Sequence, residues 1–151
     1  MDKIIAELVE YSKDNNNTEH REIEFGKVPN RLGQLIKQLI VGRECNRAPK
    51  IISSSQIRHV IKGHGNIKAE SDRGQKAISD EDFKYIPQIV GNYDTIQKSS
   101  TPDAYGNPGI LFTKKMKGVT YYVIMSVKSK KDSRTNRLEV KFDFATMWIK
   151  K

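Results

Sequence analysis

One stretch of this chain, Ile51 to Gln75 (IISSSQIRHVIKGHGNIKAESDRGQ), gathers Arg58, His59, Lys62, His64, Glu70 and Arg73. Histidine takes up and releases protons near neutral pH. Guanidinium and ammonium groups hold phosphate, arginine by paired donation. Side chains of these types can break a phosphodiester when a hydroxyl attacks the phosphorus. One group takes the hydroxyl proton, another protonates the leaving oxygen, and cations stabilise charge on the phosphate.

A short helix must position these groups. Ser53, Ser54 and Ser55 supply N-caps, and Gly65 suits a left-handed residue after the last turn. The helix therefore runs from about Ser55 to His64. On a wheel, Ile57, Val60, Ile61 and His64 fall on one side, and Arg58, His59 and Lys62 on the other. Arg58, His59 and Lys62 form either a solvated basic face or a site for an anionic group. The wheel sends the two histidines in different directions.

The 151 residues suit one domain with its own core. Residues 1–50 read as an N-terminal helical part and 51–151 as the core of that same domain. Cys45 is the single cysteine, so neither a disulfide nor a zinc cluster is expected. The glycines form no phosphate-loop pattern. No export signal and no apolar run of membrane-spanning length is visible, so a cytoplasmic protein without membrane contact is expected. Net charge is +9, and the excess is local: residues 111–151 hold 11 Lys and Arg against 3 Asp and Glu, while the rest nearly balances. Such a surplus suits a polyanion, and nucleic acid suits it better than membrane, because no amphipathic basic helix accompanies it.

The remaining elements follow from periodicity. Helices are expected over residues 2–13 and 30–41, and a third over 78–90, with Ser79 and Asp82 close to a capping box and a break near Ile86 forced by Pro87. Residues 21–28 alternate weakly as a strand or connector. Strands follow at 95–97, 110–116, 119–128 and 138–149, joined by short loops that favour an antiparallel meander. Along the last strand Leu138, Val140, Phe142 and Phe144 share a face. Continuing that count puts Thr146 and Trp148 on it too, unless Ala145 marks a bulge that re-aims them. Helices first and strands later make an α+β fold.

Four pieces stand in a recognisable order: Ile57–Gly65 (IRHVIKGHG), Glu70–Gln75 (ESDRGQ), Ile78–Val90 with Asp94, and Thr146-Met147-Trp148. Together they resemble the phage-associated branch of the barnase, EndoU, colicin and RelE-like ribonuclease superfamily, across roughly residues 51–149. The resemblance implies N-terminal helices packed on a twisted four-stranded antiparallel sheet. It implies endonucleolytic cleavage of RNA, tRNA included, through a 2′,3′-cyclic phosphate and without a metal or other cofactor. A phage-associated or toxin setting, with an acidic immunity or antitoxin partner, comes with it. The chain departs from the pattern at Trp148, where tyrosine is usual, and at Ser126, where an acid is usual.

His59 is the first choice for acid–base work and His64 the second, each set against an ordinary surface or core histidine. Arg73 is a phosphate ligand or a salt-bridge partner of Glu70, which is itself a base or a positioning group. Thr146 can donate to a phosphate oxygen. Trp148 can stack on a base, though the alternation favours a core tryptophan. Lys114, Lys115, Lys128, Lys130 and Lys131 form an electrostatic track for RNA, with Arg58 and Lys62 beside it. His20 is taken as a surface residue. A catalytically inactive nucleic-acid-binding or partner-binding domain of the same fold is the alternative.

Overall fold

The computed structural model describes residues 1–151. In chain order it forms α1 (Asp2–Lys13), β1 (Glu22–Lys27), α2 (Asn30–Leu39), β2 (Pro49–Ser53), α3 (Ser54–His64), α4 (Ile67–Asp72) and β3 (Gln75–Lys76). A 3-10 turn (Asp80–Tyr85), α5 (Ile86–Gly91), β4 (Thr95–Lys98), β5 (Gly109–Met116), β6 (Val119–Lys131) and β7 (Leu138–Lys150) follow. No helix is long and apolar enough to cross a membrane.

The sheet has seven strands rather than four. The expected meander β4-β5-β6-β7 is its antiparallel half. The correction lies beyond β7. There β2 pairs parallel to β7 through Lys50–Phe142 and Ile51–Asp143, and β1 pairs antiparallel with β2. Two-residue β3 pairs with the far end of β7, at Ile149 and Lys150. β2 escaped the sequence reading because its five residues, the last three buried in a row, carry no alternation. Residues 1–50 therefore supply β1 and the first two residues of β2 as well as helices.

One core of 28 buried side chains runs from Ile5 to Ile149, so both parts of the chain fold as a unit. On β6, Tyr121, Val123, Met125 and Val127 face it, and α1, α2 and α5 contribute Ile5, Ile36 and Ile89 from the helical side. Alternate residues Tyr122, Ile124 and Lys128 face the other, open side. At Pro87 the expected break is present: the 3-10 turn ends at Tyr85 and α5 restarts with proline in its first turn. Ser79 and Asp82 form the full capping box. The second Asp82 oxygen accepts from the buried Tyr121 hydroxyl at 2.7 Å. Burial, followed by that bond, pushes the Tyr121 hydroxyl far above its ordinary range. The Cys45 thiol is buried, and burial pushes it up to about 11.

Gly65 ends α3, but not in the expected left-handed conformation: its φ is −93°. Glycine is needed there for a different reason. A Cβ would stand 2.4 Å from the Ile61 carbonyl oxygen. Gly65→Ala is expected to destabilise by more than about 1 kcal/mol, read as a lower urea midpoint with an unchanged slope.

Candidate active site

The chain between β2 and β3 leaves the sheet, then returns to the opposite end of the same strand, β7. α3 fills the interval and lies along β7. Its start is locked by the Ser53 side chain, which accepts from Gln56 N at 3.3 Å. Ile57 and Val60 are buried in the core. The helix thus sits at the sheet margin, and more than one of its faces can meet β7.

Both histidines consequently reach the open side, contrary to the wheel. His59 lines a cleft beside Thr146, Ser126 and Lys128. His64 stands over Trp148, with ring centroids 6.4 Å apart. The wheel grouped His64 with Ile57 and Ile61. By its last turn the helix has outrun the core, and that arc meets Trp148 and Glu70 instead.

A bulge decides what β7 presents. Ile124 pairs with Thr146 and Met125 with Phe144, which leaves Ala145 without a partner. The extra residue reverses the alternation. Phe142, Phe144, Met147 and Ile149 are all fully buried, while Thr146 and Trp148 turn to the open face. The core reading of Trp148 is therefore overturned. Its indole stacks on Tyr122, with centroids 5.2 Å apart and planes 3° from parallel. Lys150 Nζ stands 5.4 Å from the Tyr122 ring centre on the same face.

Behind His64 lies Glu70, fully buried on α4. Its Oε2 is 3.2 Å from His64 Nδ1, and its Oε1 is 2.8 Å from Arg73 Nη1. The arginine contact is an ion pair without hydrogen-bond alignment, because the guanidinium is turned to donate twice to the Gly63 carbonyl, at 3.2 Å each. A buried carboxylate needs such company. Arg73 Nη1 also lies 3.5 Å from that Nδ1, but the carboxylate is closer and only accepts, so in the neutral ring the Glu70 contact places the hydrogen on Nδ1 and the lone pair on Nε2.

The cleft around His59 has a volume of about 450 Å³. Ser55 and Gln56 border it from α3, Ile124, Ser126 and Lys128 from β6, and Thr146 from β7. Thr101 to Tyr105, in the β4–β5 loop, close its far side. Lys128 Nζ is 2.8 Å from Asp143 Oδ2. Asp143 stands opposite Ser126 in the ladder, so the acid of this face is on β7 rather than at position 126. Asp103 ties the loop, accepting from the Tyr105 and Asn107 amides at 2.9 Å each. Burial opposes ionisation of Asp103, but the bonds from Asn107 and Tyr105 outweigh it and hold the carboxyl below its ordinary range. Tyr105 itself remains 85% exposed.

Two expected ligands do not belong to this surface. Arg58 donates to the carbonyls of Ser12 and Asn17 and ties α3 to α1. Lys114 pairs with Tyr121 in the ladder, so it points to the helical side, where its Nζ is 2.7 Å from the Asn92 carbonyl oxygen. Lys62 is exposed on α3, and Lys115 and Lys130 share the open-face alternation with Lys128. Ser55, Tyr105, Tyr122, Ser126 and Asp143 were not singled out as site residues. Even-numbered alternation along β6 carried the signal for Tyr122 and Ser126, whereas Tyr105 had none. Nowhere do three His, Cys, Asp or Glu side chains converge as a metal-ligand set.

An open, basic sheet face that carries two histidines beside a helix, on an α+β frame, is the arrangement of a nuclease-like protein. The chain belongs to the phage-Barnase-EndoU-ColicinE5/D-RelE like nuclease3 family, whose profile matches residues 26–151. That match reaches upstream of the four motif pieces to take in α2, β2 and the last two residues of β1. No curated protein and no solved structure shows a significant match to the chain.

Proposed function

We propose that this nuclease-family protein is an endoribonuclease that directs the RNA 2′-hydroxyl onto the adjacent phosphate, leaving a 2′,3′-cyclic end, without a metal. The observation that carries the reading is the placement of His59 and His64 along one strand of a single open face, with Lys128 and Arg73 beside them. His64, with Nδ1 engaged by Glu70, offers Nε2 as the base for the 2′-hydroxyl. His59 donates the proton to the leaving 5′-oxygen. Lys128, Arg73 and the Thr146 hydroxyl hold phosphate oxygens, Trp148 on Tyr122 gives a base a stacking surface, and Lys62, Lys115 and Lys130 draw the RNA in.

The test is RNA cleavage in excess EDTA. Total RNA and tRNA should be cut, with cyclic phosphate ends, by the wild type and not by His59→Ala or His64→Ala. A wild type that binds RNA in a salt-dependent way but cuts none would establish the inactive-binding alternative instead.

The exposed Tyr105 should contribute by stacking on a base across the cleft from His59. Tyr105→Ala is expected to raise KM for RNA by about 5–100-fold with little change in kcat, and Tyr105→Phe should restore it. Steady-state kinetics on one short oligonucleotide read both constants.

A further inference from the structure

Ser55 lies one helical turn before His59, and both line the cleft. A third histidine reaches it from outside. His20 Nδ1 is 3.0 Å from Ser55 Oγ, and His20 Nε2 is 3.4 Å from Glu22 Oε2. Glu22 is held in turn by Lys141, whose Nζ is 3.3 Å from Oε1. The backbone sets this contact. Glu22 pairs with Ser53 in the β1–β2 ladder. One step further, Arg21 N donates to Ser54 Oγ at 3.0 Å and Arg21 O accepts from Ser54 N at 2.7 Å. His20 and Ser55 are the next residues on either side of this contact. The ladder ends at Ser53, where α3 begins, and the Arg21–Ser54 bonds hold the first helical turn beside His20.

We propose that Ser55 is a substrate-contacting hydroxyl of the cleft and that His20 is its positioning residue, setting which way that hydroxyl points. The proposal rests on the ribonuclease reading above. The chemistry follows from counting donors. Burial works against the charged form of Glu22, but the bonds from His20 and Lys141 outweigh it and hold the carboxyl below its ordinary range, so it only accepts. His20 Nε2 therefore carries a hydrogen. In the neutral ring Nδ1 has only a lone pair, so Ser55 O–H donates to it and turns an oxygen lone pair to the cleft. In the imidazolium, Nδ1–H donates to Ser55 Oγ instead. The Ser55 O–H is then free to donate to a phosphate oxygen. Protonation of a residue outside the cleft thus converts a cleft hydroxyl from acceptor to donor. The other charged groups facing the pair are Glu22 and Lys141 from the sheet, His59 from α3, Lys128 with Asp143 on the cleft floor, and Asp103 from the β4–β5 loop.

Uridine 3′-monophosphate is the probe, with binding followed by calorimetry between about pH 5 and 8, where histidine changes charge. Wild-type binding should tighten on acidification by about three- to tenfold more than in Ser55→Ala or His20→Gln, the effect of one hydrogen bond. His20→Gln keeps a hydrogen-bonding partner for Ser55 but cannot titrate. The double variant should bind no more weakly than Ser55→Ala alone, because the histidine acts through the serine. Nitrogen-15 spectra of the neutral His20 ring should show the hydrogen on Nε2. Additive losses in the double variant, an unchanged pH dependence in His20→Gln, the opposite tautomer, or no binding by the wild type would each overturn the proposal. A wild type that shows the coupling but cuts no RNA leaves the proposal standing and removes the ribonuclease reading. RNA cleavage with both variants indistinguishable from wild type does the reverse.

Discussion

His64→Ala is expected to lower kcat for RNA cleavage by about 10²–10⁴-fold, the usual contribution of a positioned acid or base. His59→Ala should fall in the same range on RNA, yet the two variants should separate on a different substrate. A uridine 3′-phosphate ester of 4-nitrophenol has a leaving group that departs without being protonated. If His59 is the acid, its alanine variant should cleave that ester at close to the wild-type rate. His64→Ala should stay impaired, because the 2′-hydroxyl must still lose its proton. The assignment comes from one contact: Glu70 Oε2, 3.2 Å from His64 Nδ1, engages that nitrogen and leaves Nε2 as the acceptor. Rescue of His64→Ala, with His59→Ala still impaired, would reverse the roles. Folding of both variants is checked by matching their urea midpoints to the wild type.

Asp82→Ala is expected to cost about 2–5 kcal/mol of stability, the sum of a lost cap and a stranded buried hydroxyl. One Asp82 oxygen accepts from Ser79 N at 2.8 Å and from Ser79 Oγ at 3.0 Å. The other accepts from Tyr121, which is 2% exposed. Removing the carboxylate uncaps the 3-10 turn and leaves the phenol unsatisfied in the core. Against a typical total of about 5–15 kcal/mol, that loss is large. Urea unfolding should show a much lower midpoint with an unchanged slope. Asp82→Ala with Tyr121→Phe should recover the part due to the stranded hydroxyl. A single variant within about 0.5 kcal/mol of wild type would contradict this account.

Local rules were sufficient for the elements that carry strong periodicity or punctuation. α1 and α3 fall within a residue of their expected ends, and the antiparallel meander, the proline break before α5 and the capping box all appear as read. Each of these is decided within a few neighbouring residues. The family resemblance, carried by short motifs, was legible for the same reason. β2, β3 and α4 were not. All three are short; β2 and β3 form because β7 offers an open edge at both ends, and α4 packs against β3.

Which side chains share the site belongs to a longer range. Arg58 and His59 are neighbours in sequence, yet one ties two helices together and the other lines the cleft. Lys114 and Lys115 likewise part to opposite faces of β5, since adjacent strand residues must.

The sequence by itself determined the residue types available for the chemistry, the α+β order and the basic C-terminal third. A charge count and a helical or strand period need no partner to be read. The tertiary structure alone decided that the two histidines of Ile51–Gln75 stand on one face. One bulge residue at Ala145 turned Thr146 and Trp148 toward them, and a helix docked at the sheet margin could present both His59 and His64 to that strand. Parity along a strand flips with a single unpaired residue, and only the pairing with β6 reveals it.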